Sequence, residues 1–300
     1  MKQVFYQIIY NSTINSILRS INKFLSPILP NKLKIAPSGL MRISLPEGNS
    51  FKFKVNQTNS LAYKIFWEGA EKHTFINVFY PLSKKVNNFF DIGANIGFYS
   101  LVASAANPKI EITGFEPATG PNFYYHANKQ INDFNNIKIS NFALSSKKGE
   151  IRFNEVKNIK FTYLAHNLAG NGNANENFSN PNFIKTTIKA EKLDDYLINY
   201  PPGFNIELMK LDTEGTEHFI LSGATEVLAK MKPIIICETL FDTIEEELEG
   251  IVGKYGFEYY DHTPKGLKKV ERLKKEKDEG IKNSFFIHPS KTHLVKEFIY

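Results

Sequence analysis

The spacing of hydrophobic positions along this chain changes near residue 88. Beyond that point, short apolar runs alternate with stretches long enough for a helix, which is typical of a parallel sheet with helical crossovers. We therefore expect an α/β fold with a doubly wound sheet, in a domain over residues 86–300. The predicted strands are 89–92, 110–115, 137–143, 206–211, 234–237, 257–260 and 284–288, and the predicted helices are 97–106, 121–131, 215–230 and 243–255. The stretch over about 154–185 is rich in Asn, Gly and Ala and predicts a long loop.

The first 85 residues have a different pattern, which predicts a lead-in segment rather than a second catalytic domain. Apolar residues recur at helical spacing through residues 1–30, with Lys2, Arg19 and Lys23 between them. This predicts one or two amphipathic helices with two possible roles: packing on the main domain, or lying on a membrane surface near a lipid-linked substrate. Residues 51–55 then alternate as a half-buried strand does.

Composition narrows the class of protein. Of 300 residues, 42% are hydrophobic, which is enough for a sizeable core, and the lone Cys237 excludes a disulfide framework. No apolar stretch of about 18 residues occurs, and we expect a cytoplasmic protein.

The net charge of +6 suits acidic or phosphate-bearing partners but equally suits solubility. Glutamates interleave the basic run 265–277, which predicts an exposed helix or loop there rather than a nucleic-acid groove.

The segment DIGANIG at 91–97 follows the first predicted strand of the sheet. Ligands of open parallel sheets bind outside the carboxyl ends of the strands. Gly93 and Gly97 allow the backbone to approach a ligand closely, and Asn95 tolerates a left-handed conformation. The segment lacks the glycines of a dinucleotide fingerprint and the lysine of a Walker loop. It therefore predicts a ligand that needs the carboxylate of Asp91 instead of a phosphate cradle.

The next two strand ends favour a nucleoside. Glu116 lies about twenty residues past the turn, where a nucleoside-binding βαβ unit places the acid that binds a ribose diol. At the third strand end, Asn141 offers an amide for the edge of an adenine, and Phe142 and Ala143 offer apolar atoms for its faces. Structural roles are also open, because Glu116 could cap the next helix and Asn141 could simply end its strand.

Five motifs together resemble the FkbM family of S-adenosylmethionine-dependent methyltransferases, over roughly residues 66–260. They are DIGANIG at 91–97, GFEP at 114–117, NFALS at 141–145, LDDYL at 193–197 and KLDTEG at 210–215. The resemblance implies a Rossmann-like, seven-stranded methyltransferase sheet whose last strand is antiparallel. It also implies S-adenosyl-L-methionine as the cofactor and methyl transfer to a hydroxyl oxygen of a sugar, a glycan or a polyketide-type metabolite.

The same resemblance assigns cofactor-binding residues. It implies that the turn with Asp91, Gly93, Ala94, Asn95 and Gly97 shapes the methionine end of the site. It places Glu116 at the ribose and the segment Asn141, Phe142 and Ala143 near the adenine. One departure from the family pattern is Thr213, which stands where an aliphatic residue is usual.

An alcohol acceptor must lose a proton during methyl transfer, so a general base is expected. Asp212 and Glu214, after the fourth strand, are the preferred candidates, and His218 is the third. The alternative is that these acids only stabilise the start of the following helix. Glu238 and His166 are further candidates for the site. The acidic cluster could also hold magnesium, although no spacing requires a metal.

Two other functions stay open. A non-catalytic cofactor-binding scaffold in a glycan-assembly complex would keep Asp91 and Glu116 but would have no use for acids at 212–214. A nucleic-acid methyltransferase is disfavoured because NYPP at 199–202 precedes the fourth strand and has the wrong order. We expect a small-molecule or glycan acceptor, lipid-linked if residues 1–30 contact the inner membrane leaflet, and no nucleic-acid partner. The oligomeric state is left open.

Overall fold

The structure is a computed structural model that describes residues 1–28, 30, 33–168 and 183–300. The Asn- and Gly-rich segment 171–175, predicted to be part of a long loop, lies outside the described residues. The helices are α1 (Lys2–Ile9), α2 (Ser12–Phe24), α3 (Ser60–Glu68), α4 (Ile76–Ser83), α5 (Phe98–Ala106), α6 (Thr119–Ile131), α7 (Leu193–Leu197), α8 (Glu217–Ser222) and α9 (Glu245–Val252).

Strands form three sheets. They are β1 (Gly39–Ser44), β2 (Ser50–Val55), β3 (Asn88–Ile92), β4 (Glu111–Phe115), β5 (Ile137–Ser140), β6 (Ala143–Leu144), β7 (Gly149–Val156), β8 (Phe183–Glu191), β9 (Leu208–Leu211), β10 (Ile234–Glu238), β11 (Glu258–Thr263), β12 (Gly266–Val270) and β13 (Asn283–Ile287). The central sheet has the order β12-β11-β13-β10-β9-β3-β4-β5, β1 pairs with β2, and β6, β8 and β7 form a small third sheet.

The central sheet is covered on both faces, as the doubly wound prediction requires. Strands β10, β9, β3, β4 and β5 pair in parallel, so their carboxyl ends share one edge. Successive strand residues point to opposite faces: Phe89 packs into one core with α4 and α5, and Phe90 packs into the other with α8 and α9. The predicted α/β fold is confirmed.

The predicted antiparallel last strand is also confirmed, because β13 runs antiparallel to both β10 and β11. The prediction of an exposed helix or loop over 265–277 was wrong for residues 266–270, which form a strand. Within the described residues the sheet has an eighth strand, β12, paired with β11 at the sheet edge. Leu267 is buried while Lys268 and Lys269 are exposed, so the lysines belong to an edge strand, where such charges are common.

The predicted loop over 154–185 was too long at both ends. Strands β7 and β8 pair antiparallel from Gly149↔Ala190 to Val156↔Phe183. Both strands are largely exposed or half-buried, so the hydrophobic alternation that identifies a strand is weak in the sequence.

The predicted helix over 215–230 is divided into α8 and a π-helical turn, Val227–Met231. The division lies at Gly223, where a Cβ atom would approach the carbonyl oxygen of Ser145 to 2.2 Å. In the lead-in segment, β2 alternates as predicted, with Phe51, Phe53 and Val55 buried. Among the described helices, none has the length and apolar content needed to cross a bilayer.

Candidate active site

A large cleft opens at the carboxyl ends of β3, β4, β9 and β10. Its volume is about 1410 Å³, which exceeds the range of roughly 300–1,000 Å³ typical of a pocket for one small ligand. Gly93, Asn95 and Glu116 line one part, and Asp212, Glu214 and Glu238 line another. The parallel strands therefore bring the predicted turn, the predicted ribose-binding acid and the predicted base candidates into one cavity.

The turn after β3 has three residues with positive φ. Gly93, Asn95 and Gly97 have φ angles of 72°, 51° and 84°, so Asn95 adopts the left-handed conformation that asparagine tolerates. A Cβ atom at Gly93 would lie 1.9 Å from the carbonyl oxygen of Asp212, and one at Gly97 would lie 2.2 Å from the ring of Tyr125. Both glycines are therefore required by close packing inside the protein, and of the two only Gly93 lines the cleft.

Glu116 bridges the turn and the start of α6. Its Oε2 accepts a hydrogen bond from the backbone N–H of Asn95 at 2.7 Å, and its Oε1 accepts one from Ala118 at 2.8 Å. Burial raises the pKa of Glu116 to about 7, although these two bonds oppose the shift. Each oxygen keeps a second lone pair for a ligand hydroxyl. The structural role and the predicted ligand role of Glu116 are thus compatible.

Asp91 lies beneath the turn and is fully buried. Its Oδ2 accepts hydrogen bonds from the backbone N–H of Ser100 at 3.1 Å and from the Ser100 hydroxyl at 2.7 Å. Asp91 and Ala94 do not line the cleft, whereas Gly93 and Asn95 do. Asp91 therefore fixes α5 under the turn and shapes the site from below.

Lys210 was not among the predicted site residues, but its side chain contacts three of them, Asp91, Asp212 and Gly93. It is only 3% exposed on β9, and its Nζ lies 3.5 Å from Asp91 Oδ1 and 3.3 Å from Asp212 Oδ2. It also donates to the carbonyl oxygen of Gly93 at 3.2 Å. Burial lowers the pKa of Lys210, but the carboxylates of Asp212 and Asp91 outweigh burial, so the pKa is raised overall. The signal was available, since a lysine interrupts the apolar run of β9.

Glu217 anchors the acidic loop. Its Oε1 accepts a hydrogen bond from the Thr213 hydroxyl at 2.9 Å, and its Oε2 accepts one from the N–H of Gly215 at 3.1 Å. The hydroxyl at Thr213, the position that departs from the family pattern, is therefore used to hold this loop. The loop carries Glu214 in a left-handed conformation, with φ 58°.

The two base candidates differ in their partners. Asp212 is ion-paired to Lys210, whereas Glu214 is on the exposed side of the loop and has no ion-pair partner among the described residues. Partial burial by the cleft, followed by the charges of Asp212 and Glu217, raises the pKa of Glu214 to about 7. A carboxyl group with that pKa changes protonation state near neutral pH.

Glu238, at the end of β10, faces the same cleft. Burial and the neighbouring charges of Asp212 and Glu214 raise its pKa to about 8. Its Oε2 has no hydrogen-bond partner within the described part of the chain. The raised pKa favours the protonated form of Glu238, which can donate a hydrogen bond to a ligand.

Three histidines line the cleft. The Nδ1 of His218 is buried without a partner among the described residues, and burial lowers the pKa of this side chain. His73, from the lead-in segment, was not predicted, and burial lowers its pKa to about 4. His166 stacks on Phe123, with ring centroids 4.4 Å apart. The third base candidate, His218, and the further site candidate His166 therefore both line the cleft.

The predicted adenine-binding segment is only partly in the cleft. Phe142 and Ala143 line it, while Asn141 is exposed and outside the lining. Phe142 packs edge-on against Phe115, with ring centroids 5.6 Å apart. An adenine contact by Asn141 stays a prediction. Across the described ranges, no group of three or more His, Cys, Asp or Glu side chains is arranged to hold a metal ion.

Comparison with known proteins places this chain among methyltransferases. The family model described as the methyltransferase FkbM domain matches residues 91–259. The methyltransferase sdnD of Sordaria araneosa is 27% identical over 210 residues, which cover 62% of this chain and 80% of that protein.

Two solved structures show similarity at low identity. The methyltransferase FkbM of Methylobacillus flagellatus has a TM-score of 0.43 and 13% identity, and the match covers 75% of this chain but 52% of that one. The S-adenosylmethionine-dependent methyltransferase of Agrobacterium tumefaciens has a TM-score of 0.43 and 9% identity, with 85% and 71% covered. Since the family model spans more than half of the 300 residues, this chain belongs to the FkbM methyltransferase family.

Proposed function

We propose that this protein transfers a methyl group from S-adenosylmethionine to a hydroxyl oxygen of a glycan or polyketide-type acceptor, with Glu214 as the general base. The observation that carries this proposal is the placement of Glu116 and Glu214 in one cleft. Glu116 has lone pairs free for a diol, and Glu214 has a pKa of about 7.

The residues of the cleft fit the proposed donor. The oxygens of Glu116 can accept from both ribose hydroxyls, because each holds only one backbone N–H. Phe142 and Ala143 offer apolar contact for a base ring. When bound, S-adenosylmethionine supplies a methyl group on a positively charged sulfur, and the acids at 212–214 favour positive charge there.

Glu214 suits the role of base better than Asp212. The ammonium of Lys210, 3.3 Å from Asp212, stabilises the Asp212 carboxylate and makes it a weaker proton acceptor. A base is most effective when its pKa lies near the working pH, which is the case for Glu214. Glu214 would take the hydroxyl proton while the acceptor oxygen bonds to the methyl carbon and the carbon–sulfur bond breaks. The rest of the rate would come from alignment of donor and acceptor.

A carbohydrate-type acceptor is supported by the polar lining of the remaining cleft. Lys64 and His73 of the lead-in segment, together with Ser145 and Lys147 after β6, line this part. They offer hydrogen-bond donors and acceptors for hydroxyl groups. The unusual pKa values of Glu214 and Glu238 favour catalysis over a scaffold role, because a non-reacting cofactor platform would have no need of them.

The proposal is tested with Glu214→Gln, which keeps the shape of the side chain but cannot accept a proton. We expect donor affinity by calorimetry to stay close to wild type. We expect turnover with labelled donor on a glycan panel to fall about a hundredfold to ten-thousandfold, the usual contribution of a general base. The matched control is Glu150→Gln, an exposed glutamate outside the cleft. Near-native turnover of Glu214→Gln would contradict the assignment, and loss of donor binding would place Glu214 in the donor site instead.

A further inference from the structure

Helix α2 packs against the protein through its polar face. Its buried residues are Asn15, Arg19 and Asn22, none of them more than 9% exposed. Their spacing of i, i+4 and i+7 places them on one side of the helix. This arrangement is the reverse of the usual one, in which a helix on a globular domain buries its apolar stripe.

Buried hydrogen bonds fix α2 in this orientation. The side-chain oxygen of Asn15 accepts from the backbone N–H of Ser38 at 2.7 Å, and the guanidinium of Arg19 donates to the Ser38 carbonyl oxygen at 3.0 Å. The side-chain oxygen of Asn22 accepts from the N–H of Ile35 at 2.8 Å. Rotating the helix to bury its apolar side would leave the backbone groups of Ile35 and Ser38 facing apolar side chains, without hydrogen-bond partners. The apolar side is therefore held outward.

The outward side of α1, α2 and the turn after them exposes a series of large hydrophobic side chains, with small polar residues beside them. Its large hydrophobic side chains are between 38% and 84% exposed. On α2 they recur at i, i+3, i+7 and i+10, which forms one stripe. An exposed apolar stripe on a helix, with further exposed apolar side chains on the neighbouring helix, marks a site of contact with another surface. The residues are Val4, Phe5, Ile8, Ile14, Ile17, Ile21, Phe24 and Ile28.

The net positive charge of the protein comes from its first 46 residues, which include α1 and α2. Residues 1–46 contain six Lys and Arg and no Asp or Glu. The whole chain has 37 basic and 31 acidic residues, so residues 47–300 hold 31 of each and are neutral. Lys2 on α1, Lys23 on α2 and Arg42 on β1 are exposed. A positively charged segment that also exposes apolar side chains is complementary to a lipid surface with anionic headgroups.

Helix α1 also lies next to the cleft. The side-chain amide of Gln3 donates to the carbonyl oxygen of Lys160 at 3.0 Å, and the rings of Tyr6 and Phe161 pack edge to face at 5.1 Å. Residues Asn158 and Leu164 of the same segment line the cleft. A surface that contacts α1 would therefore be close to the cleft wall.

We propose that α1 and α2 dock this protein on an anionic lipid bilayer, with their apolar side chains at the boundary between headgroups and acyl chains. The docking does not depend on the proposed reaction. If both hold, an acceptor attached to a lipid would enter the cleft from the membrane side.

Flotation of the full chain with lipid vesicles tests the docking. One set is phosphatidylcholine alone, and the other contains roughly 40 mol% phosphatidylglycerol, at low salt and at about 0.15 M salt. We expect the protein to float with the anionic vesicles, less so at the higher salt. The double variant Ile17→Asp and Ile21→Asp should lower the bound fraction about tenfold or more, since it places charge in the apolar face.

Two controls keep the result interpretable. Ile198→Asp changes an isoleucine that is 77% exposed outside α1 and α2, and it should bind vesicles as wild type does. Because Ile17 and Ile21 are exposed, the thermal midpoint of the double variant should also match wild type. The proposal is overturned if wild type stays unbound with anionic vesicles at low salt, or if the double variant floats equally well. It is likewise overturned if light scattering shows a dimer that the double variant dissociates, since the face would then bind a second copy.

Discussion

Glu214 has both an uncommon backbone conformation and a raised side-chain pKa. Its left-handed φ of 58° is uncommon for a residue other than glycine, and the bonds that Glu217 accepts from Thr213 and Gly215 hold the loop in place. Backbone strain that surrounding contacts maintain is frequent at functional sites. The loop thus presents a carboxylate of raised pKa to the cleft.

The pH dependence of turnover follows from this pKa. A base acts only when deprotonated, so a raised pKa delays activity to higher pH. We expect kcat to rise about tenfold per pH unit below pH ~7 and to level off above it. A pH–rate profile of wild type and Glu214→Gln measures this. A limb near pH 7 that persists unchanged in the variant would contradict Glu214 as the base. A limb well below pH 6.5 would instead indicate His218, whose pKa is lowered by burial.

The effect of close packing at Gly93 can be measured by comparison with Gly203, a second glycine with positive φ. Gly93 and Gly203 both have positive φ, at 72° and 84°, but a Cβ at Gly203 would meet nothing within 4 Å. Gly203→Ala should therefore cost only the left-handed strain, about 1–2 kcal/mol of unfolding free energy. Gly93→Ala should cost about 1–3 kcal/mol more, because its Cβ clashes with the Asp212 backbone. Urea denaturation compares the two, and equal losses would show that the turn adjusts freely.

At the scale of single residues, the sequence was informative about properties that depend on one side chain alone. The left-handed conformation of Asn95 follows from the tolerance of asparagine for that region, and the structure has it. The role of Lys210 did not follow, because its partners Asp91 and Asp212 are brought to it by strand pairing and by the turn. The outward position of Asn141 likewise depends on where β5 ends, which is a tertiary property.

At the scale of elements, Lys210 ties β3 to β9 through a buried ion pair with Asp91. Replacing one partner of such a pair leaves the other charge buried and uncompensated. We expect Lys210→Met to lower the free energy of unfolding by about 3–5 kcal/mol, and Asp91→Asn combined with Lys210→Met to recover part of that loss. Chemical denaturation measures both variants.

The matched control for Lys210→Met is Lys84→Met, which breaks the exposed ion pair of Lys84 with Glu47. Solvent screens an exposed pair, so this variant should leave the denaturation midpoint close to wild type. If Lys210→Met were equally mild, the buried ion pair would contribute nothing to the junction of the two strands.

Hydrophobic periodicity predicted the helices and strands that bury one or both faces. It failed for strands whose side chains are mostly exposed. The apolar runs that became β3, β4, β9 and β10 were placed within about two residues of their bounds, as expected for boundaries. The edge strand β12 was hidden by its lysines. Helix α2 shows a different limit: its two stripes are evident in the sequence, but which one faces the protein depends on the backbone groups of residues 33–40.

At the scale of the molecule, the lead-in segment and the methyltransferase sheet meet at the cleft. Asn59, which caps α3, donates to the side-chain oxygen of Asn95 at 3.3 Å, so the lead-in segment supports the turn directly. The charge is divided unequally, with the whole net excess in the first 46 residues and a balanced remainder. The segment that attracts anions is therefore distinct from the cleft, which is lined by acidic side chains.

Calorimetric titration with S-adenosylmethionine and S-adenosylhomocysteine tests the proposed donor site most directly. At a pH above the raised pKa of Glu116, where its carboxyl group is charged, we expect both to bind wild type. Glu116→Ala should weaken binding by about 1.5–3 kcal/mol, the range for hydrogen bonds to a charged group. Glu111→Ala, at the exposed opposite end of the same strand β4, should bind as wild type does. Absence of heat with either ligand alongside a clear response to NAD, or an unchanged affinity in Glu116→Ala, would contradict a donor site built around Glu116.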